Sequence, residues 1–254
     1  MNHKLNNLLY RLSIRFPSLK HELNQLYDTI ETLSFWLNYK QRRRLLKSLT
    51  SCSSLEGYFE FASNVLPSHQ LENEILPFLE YVKSRKPKVV CEIGTAEGGT
   101  NFLLSHAVSS VCQIIGVDLY VHNKAKLKYF SRSGLHQTYF QGSSYSPEMC
   151  AKVEQFLDGE KIDLLFIDGD HSYEGVKRDF ELYSPFVNEN GLIIFHDIIP
   201  DYKTKLNQDT GRYAGDVPVL WNKVKKNYKH HEFVENKDQD GLGIGLIHWK
   251  KDNH

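Results

Sequence analysis

Val89-Val90-Cys91-Glu92-Ile93-Gly94-Thr95-Ala96-Glu97-Gly98-Gly99-Thr100 is the stretch on which the reading of this chain turns. An apolar run gives way to an acidic residue, a glycine-rich turn and a helical pattern from about Asn101. That order is strand, tight loop, helix. Glycine accepts positive φ and lets a ligand approach the backbone. The helix N-terminus that follows presents unpaired N–H groups. Such a unit cradles a nucleotide-type cofactor.

The pattern repeats downstream. Gln113–Val117 predicts a second strand ending in Asp118, and Thr138–Gln141 a third ending in Gly142-Ser143-Ser144. Ile162–Ile167 is a fourth, closed by Asp168-Gly169-Asp170-His171, and Leu192–Phe195 a fifth, closed by His196-Asp197. Helical patterns lie between them, at 122–132, from Pro147 to about Leu157, and at 173–183. Strands alternating with helices predict a doubly wound, mostly parallel α/β sheet. The strands are continuous apolar runs, as strands covered on both faces should be. In such sheets ligands bind at the carboxyl ends of the strands, and that is where the polar residues fall. After a long polar loop (200–215) and a helix from Val217, the segments 231–234 and 242–249 are joined by a short turn. They must pair antiparallel. The expected fold is therefore a seven-stranded Rossmann-like sheet ending in an antiparallel hairpin.

Residues 1–66 read as a separate helical segment and 67–254 as the sheet domain, with Leu66-Pro67-Ser68 at the boundary. Leu5, Leu8, Leu9 and Leu12 recur at helical spacing, and Pro17-Ser18 suits a helix start. Leu19, Leu23, Leu26, Ile30, Leu33 and Leu37 step alternately by four and three, a heptad-like seam. It would pack on its own domain or form a homodimer contact. Lys40–Arg44 reads as a solvated basic face.

Lys and Arg total 31 and so do Asp and Glu, so no global field argues for nucleic acid or an anionic membrane. None of the four cysteines forms a CxxC pair, which argues against a zinc ribbon or disulfide framework. Cys91 and Cys112 are expected as packed thiols in strands. No apolar run reaches the roughly 18 residues of a membrane span, and no signal-peptide core is visible. The expected location is cytoplasmic.

The glycine loop alone leaves the cofactor open. Gly94-x-Ala96-x-x-Gly99 nearly matches GxGxxG, but Ala stands where a dinucleotide pyrophosphate needs close backbone approach. Glu92-x-Gly94 followed by Gly98-Gly99 is the other reading. That form, with the terminal hairpin, resembles the first motif of class I S-adenosylmethionine-dependent methyltransferases. The blocks Ile167–Val176 (IDGDHSYEGV), Gly191–Asp197 (GLIIFHD) and Gly215–Trp221 (GDVPVLW) are similar to the group containing small O-methyltransferases and cephalosporin-hydroxylase-type proteins. The likeness covers roughly residues 70–250.

The resemblance implies roles. Glu92, Gly94, Thr95, Ala96, Gly98 and Gly99 would hold the methionine and ribose part of S-adenosylmethionine. Asp118, 24 positions after Gly94, would hold the ribose hydroxyls, and Ser143 and Ser144 would contact adenine. Asp168 and the pair His196-Asp197 fall where metal-dependent members bind a divalent cation, with His replacing the first acid. Magnesium prefers oxygen donors, and imidazole suits manganese, iron or zinc better. The reaction implied is methylation of a hydroxyl of a small-molecule or sugar acceptor, with Mg2+ or Mn2+ as a candidate metal.

An acceptor hydroxyl needs deprotonation, by a metal or by a base. Asp168, His171, His196 and Asp197 supply both options at two adjacent strand ends. His171 is the leading general-base candidate, its other role being a loop histidine bonded to a carboxylate. His196 could equally orient Asp197, and Asp170 could cap the helix from Ser172. Tyr145, Tyr173, Tyr202 and Tyr213 could line the acceptor pocket, and the 200–215 loop could act as a lid. Three other readings compete. They are an NAD(P)-linked oxidoreductase, an iron oxygenase using His171, His196 and Asp197 as a 2-His-1-carboxylate site, and a degenerate cofactor-binding module.

Overall fold

The computed structural model describes residues 20–250. Seven strands form one sheet in the order β3-β2-β1-β4-β5-β7-β6. They are β1 (Val89–Ile93), β2 (Gln113–Asp118), β3 (His136–Gln141), β4 (Ile162–Ile167), β5 (Val187–His196), β6 (His230–Phe233) and β7 (Ile244–His248). The first five pair in parallel, and β7 runs antiparallel to both β5 and β6. The chain reverses its winding between β1 and β4, where ligands of such sheets sit.

The helices are α1 (Lys20–Leu37), α2 (Tyr39–Thr50), α3 (Leu55–Val65), α4 (Glu72–Arg85), α5 (Gly99–Ala107), α6 (Lys124–Tyr129), α7 (Pro147–Leu157), α8 (Tyr173–Tyr183), α9 (Tyr202–Leu206) and α10 (Val217–Val224). One face of the sheet buries Phe61, Phe78, Phe102 and Phe130 from the α3–α6 side with Phe166 and Ile194 of the sheet. The other buries Val153, Val176, Tyr183 and Trp221 from α7, α8 and α10 with Phe195 and Ile247. Gly245 in β7 leaves the space that Trp221 fills, since a Cβ there would lie 2.7 Å from the indole.

Local chemistry explains the helix starts. Ser146 and Ser172 accept the N–H of Met149 and Gly175 at 3.1 Å each, satisfying donors that a helix start leaves open. Asp201 does the same for Thr204, which makes α9 inside a segment expected as loop. Strand β5 begins at Val187, ahead of its predicted start. Asn190 N–H donates to Trp249 O and Trp249 N–H to Gly191 O, so the Asn190-Gly191 turn is held within the sheet.

The expected all-helical character holds for α1–α3, and the helical spacing at Leu5–Leu12, the helix start at Pro17-Ser18 and Leu19 lie outside the described residues. The leucine seam is not what packs α1 on the domain. Leu26, Leu33 and Leu37 are 50%, 57% and 85% exposed. The helix docks instead through Phe35, whose ring meets Tyr129 and Phe130 edge-on, and through Asp28, which accepts Asn123 N–H. Cys91 is buried as expected, whereas Cys112 lies just before β2 and is exposed. Among the described residues no helix is long and apolar enough to cross a membrane.

Candidate active site

The site grows from the junction of β1 and β4. Gly94 N–H donates to Val117 O, and Asp168 N–H donates to Ile93 O, both at 2.8 Å, so the two loops leave the sheet locked side by side. A Cβ on Gly94 (φ 90°) would lie 1.9 Å from Asp168 O, so only glycine fits. Gly98 and Gly99 are glycines for packing. Their Cβ atoms would meet Leu127 at 2.5 Å and Leu66 O at 2.4 Å, and neither residue lines the cavities described next. Ala96 takes a left-handed φ of 44°, a conformation that is costly for a residue with a Cβ. Its N–H donates to Asp118 Oδ2 at 2.8 Å.

Two cavities open over this junction. The first, about 380 Å³, is lined by Gly94, Ala96, Asp118, Ser143, Ser144 and Tyr145 among others. The second, about 350 Å³, is lined by His69, His171, His196, Asp197, Arg212 and Tyr213 among others. Gly94, Ala96 and Asp168 belong to both.

Asp118, Ser143 and Ser144 thus lie together at the first cavity, while Thr95 and Glu92 are buried beneath the loop. Asp118 spends both oxygens on backbone, Oδ2 on Ala96 N–H and Oδ1 on Tyr120 N–H at 2.8 Å. Each oxygen retains a further lone pair. Glu92 Oε2 and Asn101 Nδ2 are buried with no hydrogen-bond partner. Burial pushes the Glu92 carboxyl up to about 8; Asn101 opposes this in part, and the charges of Asp168 and Asp118 add to it. An orphaned acidic oxygen below two further carboxylates fits a ligand that brings positive charge.

His171, Asp168 and Asp197 meet at the second cavity. His171 Nδ1–H donates to Tyr213 O at 2.8 Å. That hydrogen bond sets the tautomer and leaves the Nε2 lone pair free. Nε2 lies 4.0 Å from Asp168 Oδ1, and the ring stacks on Tyr213 with planes 3° apart. Asp197 also holds a left-handed φ, 60°, and its Oδ1 accepts Leu242 N–H. The opposing Leu242 is left-handed as well, at 60°.

His196 corrects an expectation. Its ring is buried beside Phe166, and Nδ1 lies 3.1 Å from Asp168 Oδ1 and 3.3 Å from Asp197 Oδ2. Burial alone would lower its pKa, but the two carboxylates outweigh this and raise it well above the ordinary imidazole value. That direction favours a protonated ring between the carboxylates, although its Nε2 is buried with no hydrogen-bond partner. Among the described residues the ligand atoms that come within 4.8 Å of one another belong to Asp168, His171 and Asp197. His171 thus takes the place in the metal set that the sequence assigned to His196. Among the described residues the 2-His-1-carboxylate arrangement is not formed, because the cluster holds one histidine, His171, with the two carboxylates.

Asp170 Oδ1 accepts Ser172 N–H, while Ser172 caps α8. Tyr145 and Tyr213 each line a cavity; Tyr173 instead lies under the Lys223 ammonium, 4.4 Å from its ring centre. The sequence reading missed the linker residues His69 and Gln70. Gln70 Nε2 donates to Asp168 Oδ2 at 3.5 Å, and His69 pairs with Glu97 at the same distance. The linker reaches the site because Gly99 lets Leu66 O approach; the double glycine was the available signal.

Residues 91–198 match the family described as "Methyltransferase domain". An uncharacterized protein of Acanthamoeba polyphaga mimivirus is 35% identical over 118 residues, 44% of this chain and 52% of that protein. An uncharacterized protein of Sinorhizobium fredii is 22% identical over 182 residues, 67% of this chain and 18% of that protein. The chain therefore spans about half the length of the first and under a fifth of the second. Among solved structures, the O-methyltransferase from Bacillus cereus in complex with SAH superposes with a TM-score of 0.53 at 15% identity, covering 78% of this chain and 92% of that one. The MycE methyltransferase of the mycinamycin biosynthetic pathway, solved with Mg, SAH and mycinamycin VI, gives 0.54 at 15% identity, covering 77% and 54%. The match over residues 91–198 is to a methyltransferase domain, and the fold is the Rossmann-like sheet that these solved methyltransferases share.

Proposed function

We propose that the protein methylates a hydroxyl oxygen of a small-molecule or sugar acceptor, with S-adenosylmethionine as donor. The observation that carries this reading is the pair of cavities that share Gly94, Ala96 and Asp168. One is placed for a nucleotide-type cofactor and the other brings a histidine with a free Nε2 to the shared wall. S-adenosylmethionine, when bound, supplies a methyl group on a positively charged sulfur. The buried, partnerless Glu92 oxygen and the carboxylates of Asp118 and Asp168 suit that charge and the amino group beside it. In this reading Gly94 admits the methionine part, Asp118 accepts from the ribose hydroxyls, and Ser143 and Ser144 flank the adenine.

His171 acts as the base. The acceptor hydroxyl gives its proton to Nε2 as its oxygen forms the new bond to the methyl carbon, and the carbon–sulfur electron pair stays on sulfur. Asp197 and Asp168 steady the resulting imidazolium, and the part-exposed ring passes the proton to solvent. Proximity and orientation supply most of the remaining acceleration for such a displacement.

A metal-assisted version uses the same residues differently. Asp168, His171 and Asp197 offer one nitrogen and two carboxylate donors, a set that suits manganese, iron or zinc. A divalent cation there would lower the acceptor's pKa. His171 cannot serve as ligand and base through the same Nε2, so the two versions exclude each other.

The test is calorimetric titration with S-adenosylhomocysteine and NADH in parallel, with and without manganese. Binding of S-adenosylhomocysteine alone is expected. Binding of NADH alone refutes the reading, and turnover indifferent to a chelator removes the metal-assisted version.

A further inference from the structure

We propose that Arg212 selects an acceptor carrying an anionic group, a carboxylate or a phosphate, a reading that rests on the methyl-transfer function above. The segment 200–216 holds Arg212 at the mouth of the second cavity through fixed contacts. Buried Asp201 accepts Thr204 N–H and Ala214 N–H at 2.7 and 2.8 Å. Asp240 accepts Tyr202 N–H and the Thr210 hydroxyl, both at 2.6 Å. Asp216 N–H donates to His171 O at 2.8 Å, and a Cβ on Gly215 would lie 2.3 Å from that same oxygen. The segment is thus tied at both flanks, and Gly211, Arg212 and Tyr213 between the ties line the cavity.

Charge accounting singles out Arg212. Asp168 and Asp197 share the buried His196, with His171 beside both. His69 is matched by Glu97. Among the described residues no carboxylate, carbonyl or ring partners the Arg212 guanidinium, and Arg212, which is exposed, is the charged residue lining this cavity without an opposite charge. A guanidinium presents a planar fork of donors that fits a carboxylate or phosphate with two parallel hydrogen bonds. An acceptor gripped there, with its hydroxyl at His171 Nε2, is fixed at two points, and orientation is what methyl transfer demands. A divalent cation at Asp168, His171 and Asp197 would strengthen the preference, since it adds positive charge to the same cavity.

The test is calorimetry on protein saturated with S-adenosylhomocysteine, using matched probes. Glucose 6-phosphate and glucuronate are compared with glucose, and 3,4-dihydroxybenzoate with catechol. At least one charged probe should bind tenfold or more tightly than its neutral counterpart, and Arg212→Gln should erase that advantage while leaving S-adenosylhomocysteine binding intact. The phosphate and carboxylate arms then distinguish the two anions. Absence of a charged preference in every pair, or a preference that survives in Arg212→Gln, overturns the proposal. Failure of S-adenosylhomocysteine itself to bind counts against the methyl-transfer reading instead.

Discussion

Glu92→Gln should stabilise the free protein while weakening its cofactor site. The Glu92 carboxyl is fully buried, one oxygen lacks any partner, and its pKa is pushed from the ordinary 4.5 up to about 8. Between these values the folded chain keeps a proton that the unfolded chain has released, so stability falls as pH rises through that window. At 1.36 kcal/mol per unit, the roughly three units between pH 4.5 and 7.5 cost ~4 kcal/mol. Glutamine has the same shape and no proton to lose. Thermal unfolding at about pH 5 should therefore find the two proteins close together, whereas at about pH 7.5 the variant should melt higher by on the order of 10 °C. S-adenosylhomocysteine should bind the variant roughly tenfold more weakly, a loss of ~1.4 kcal/mol, because a bound ammonium group would draw the proton off Glu92 and pair with the carboxylate, whereas glutamine has no charge to offer. Melting curves whose pH dependence is the same in both proteins would refute the reasoning, and so would an unchanged affinity.

Other substitutions probe the remaining parts. Gly94→Ala places a Cβ 1.9 Å from Asp168 O at φ 90°; a loss of about 2–4 kcal/mol is expected from strain and overlap together, and a melting temperature equal to wild type would contradict this. Asp118→Ala should weaken S-adenosylhomocysteine binding at least tenfold by calorimetry, since it removes a candidate ribose acceptor and frees Ala96 N–H; equal affinity rejects the ribose assignment. His171→Ala should cut turnover by about 10²–10⁴-fold at saturating donor with cofactor affinity retained, and turnover within a few-fold of wild type would remove His171 as base.

The sheet was legible because its central strands β1, β2, β4 and β5 carry apolar runs and their polar ends mark one edge. Pro147–Leu157, Ile162–Ile167 and Tyr173–Tyr183 match their predicted bounds, since Ser146, Ser172 and the flanking turns punctuate them. The early start of β5 was hidden because Asn190-Gly191 has the composition of a turn, and only its pairing with Trp249 keeps it in the sheet. The α1 seam left its partner open, because leucine spacing describes a face without saying what covers it. At the site, residue types announced the chemistry but not its division of labour. Nothing in His196-Asp197 says which side chain points inward; that depends on the left-handed turn at Asp197, a tertiary constraint.

That turn also explains why a histidine can stand beside two acids without dispersing them. Asp168 and Asp197 are held at adjacent strand ends, where two partly dehydrated carboxylates would repel. His196, pushed well above its ordinary pKa by both, places a positive charge between them. Removing one partner leaves a buried charge incompletely paired, a change that costs about 3–5 kcal/mol in buried ion pairs. Asp197→Asn is the sharp test, because asparagine tolerates left-handed backbone and keeps an oxygen for Leu242 N–H. Its effect therefore reports the lost charge and not a lost turn. Chemical denaturation near neutral pH should show destabilisation of that order; a variant as stable as wild type would mean that His196 is neutral, and the site would then lack the buried cation that holds its two acids together.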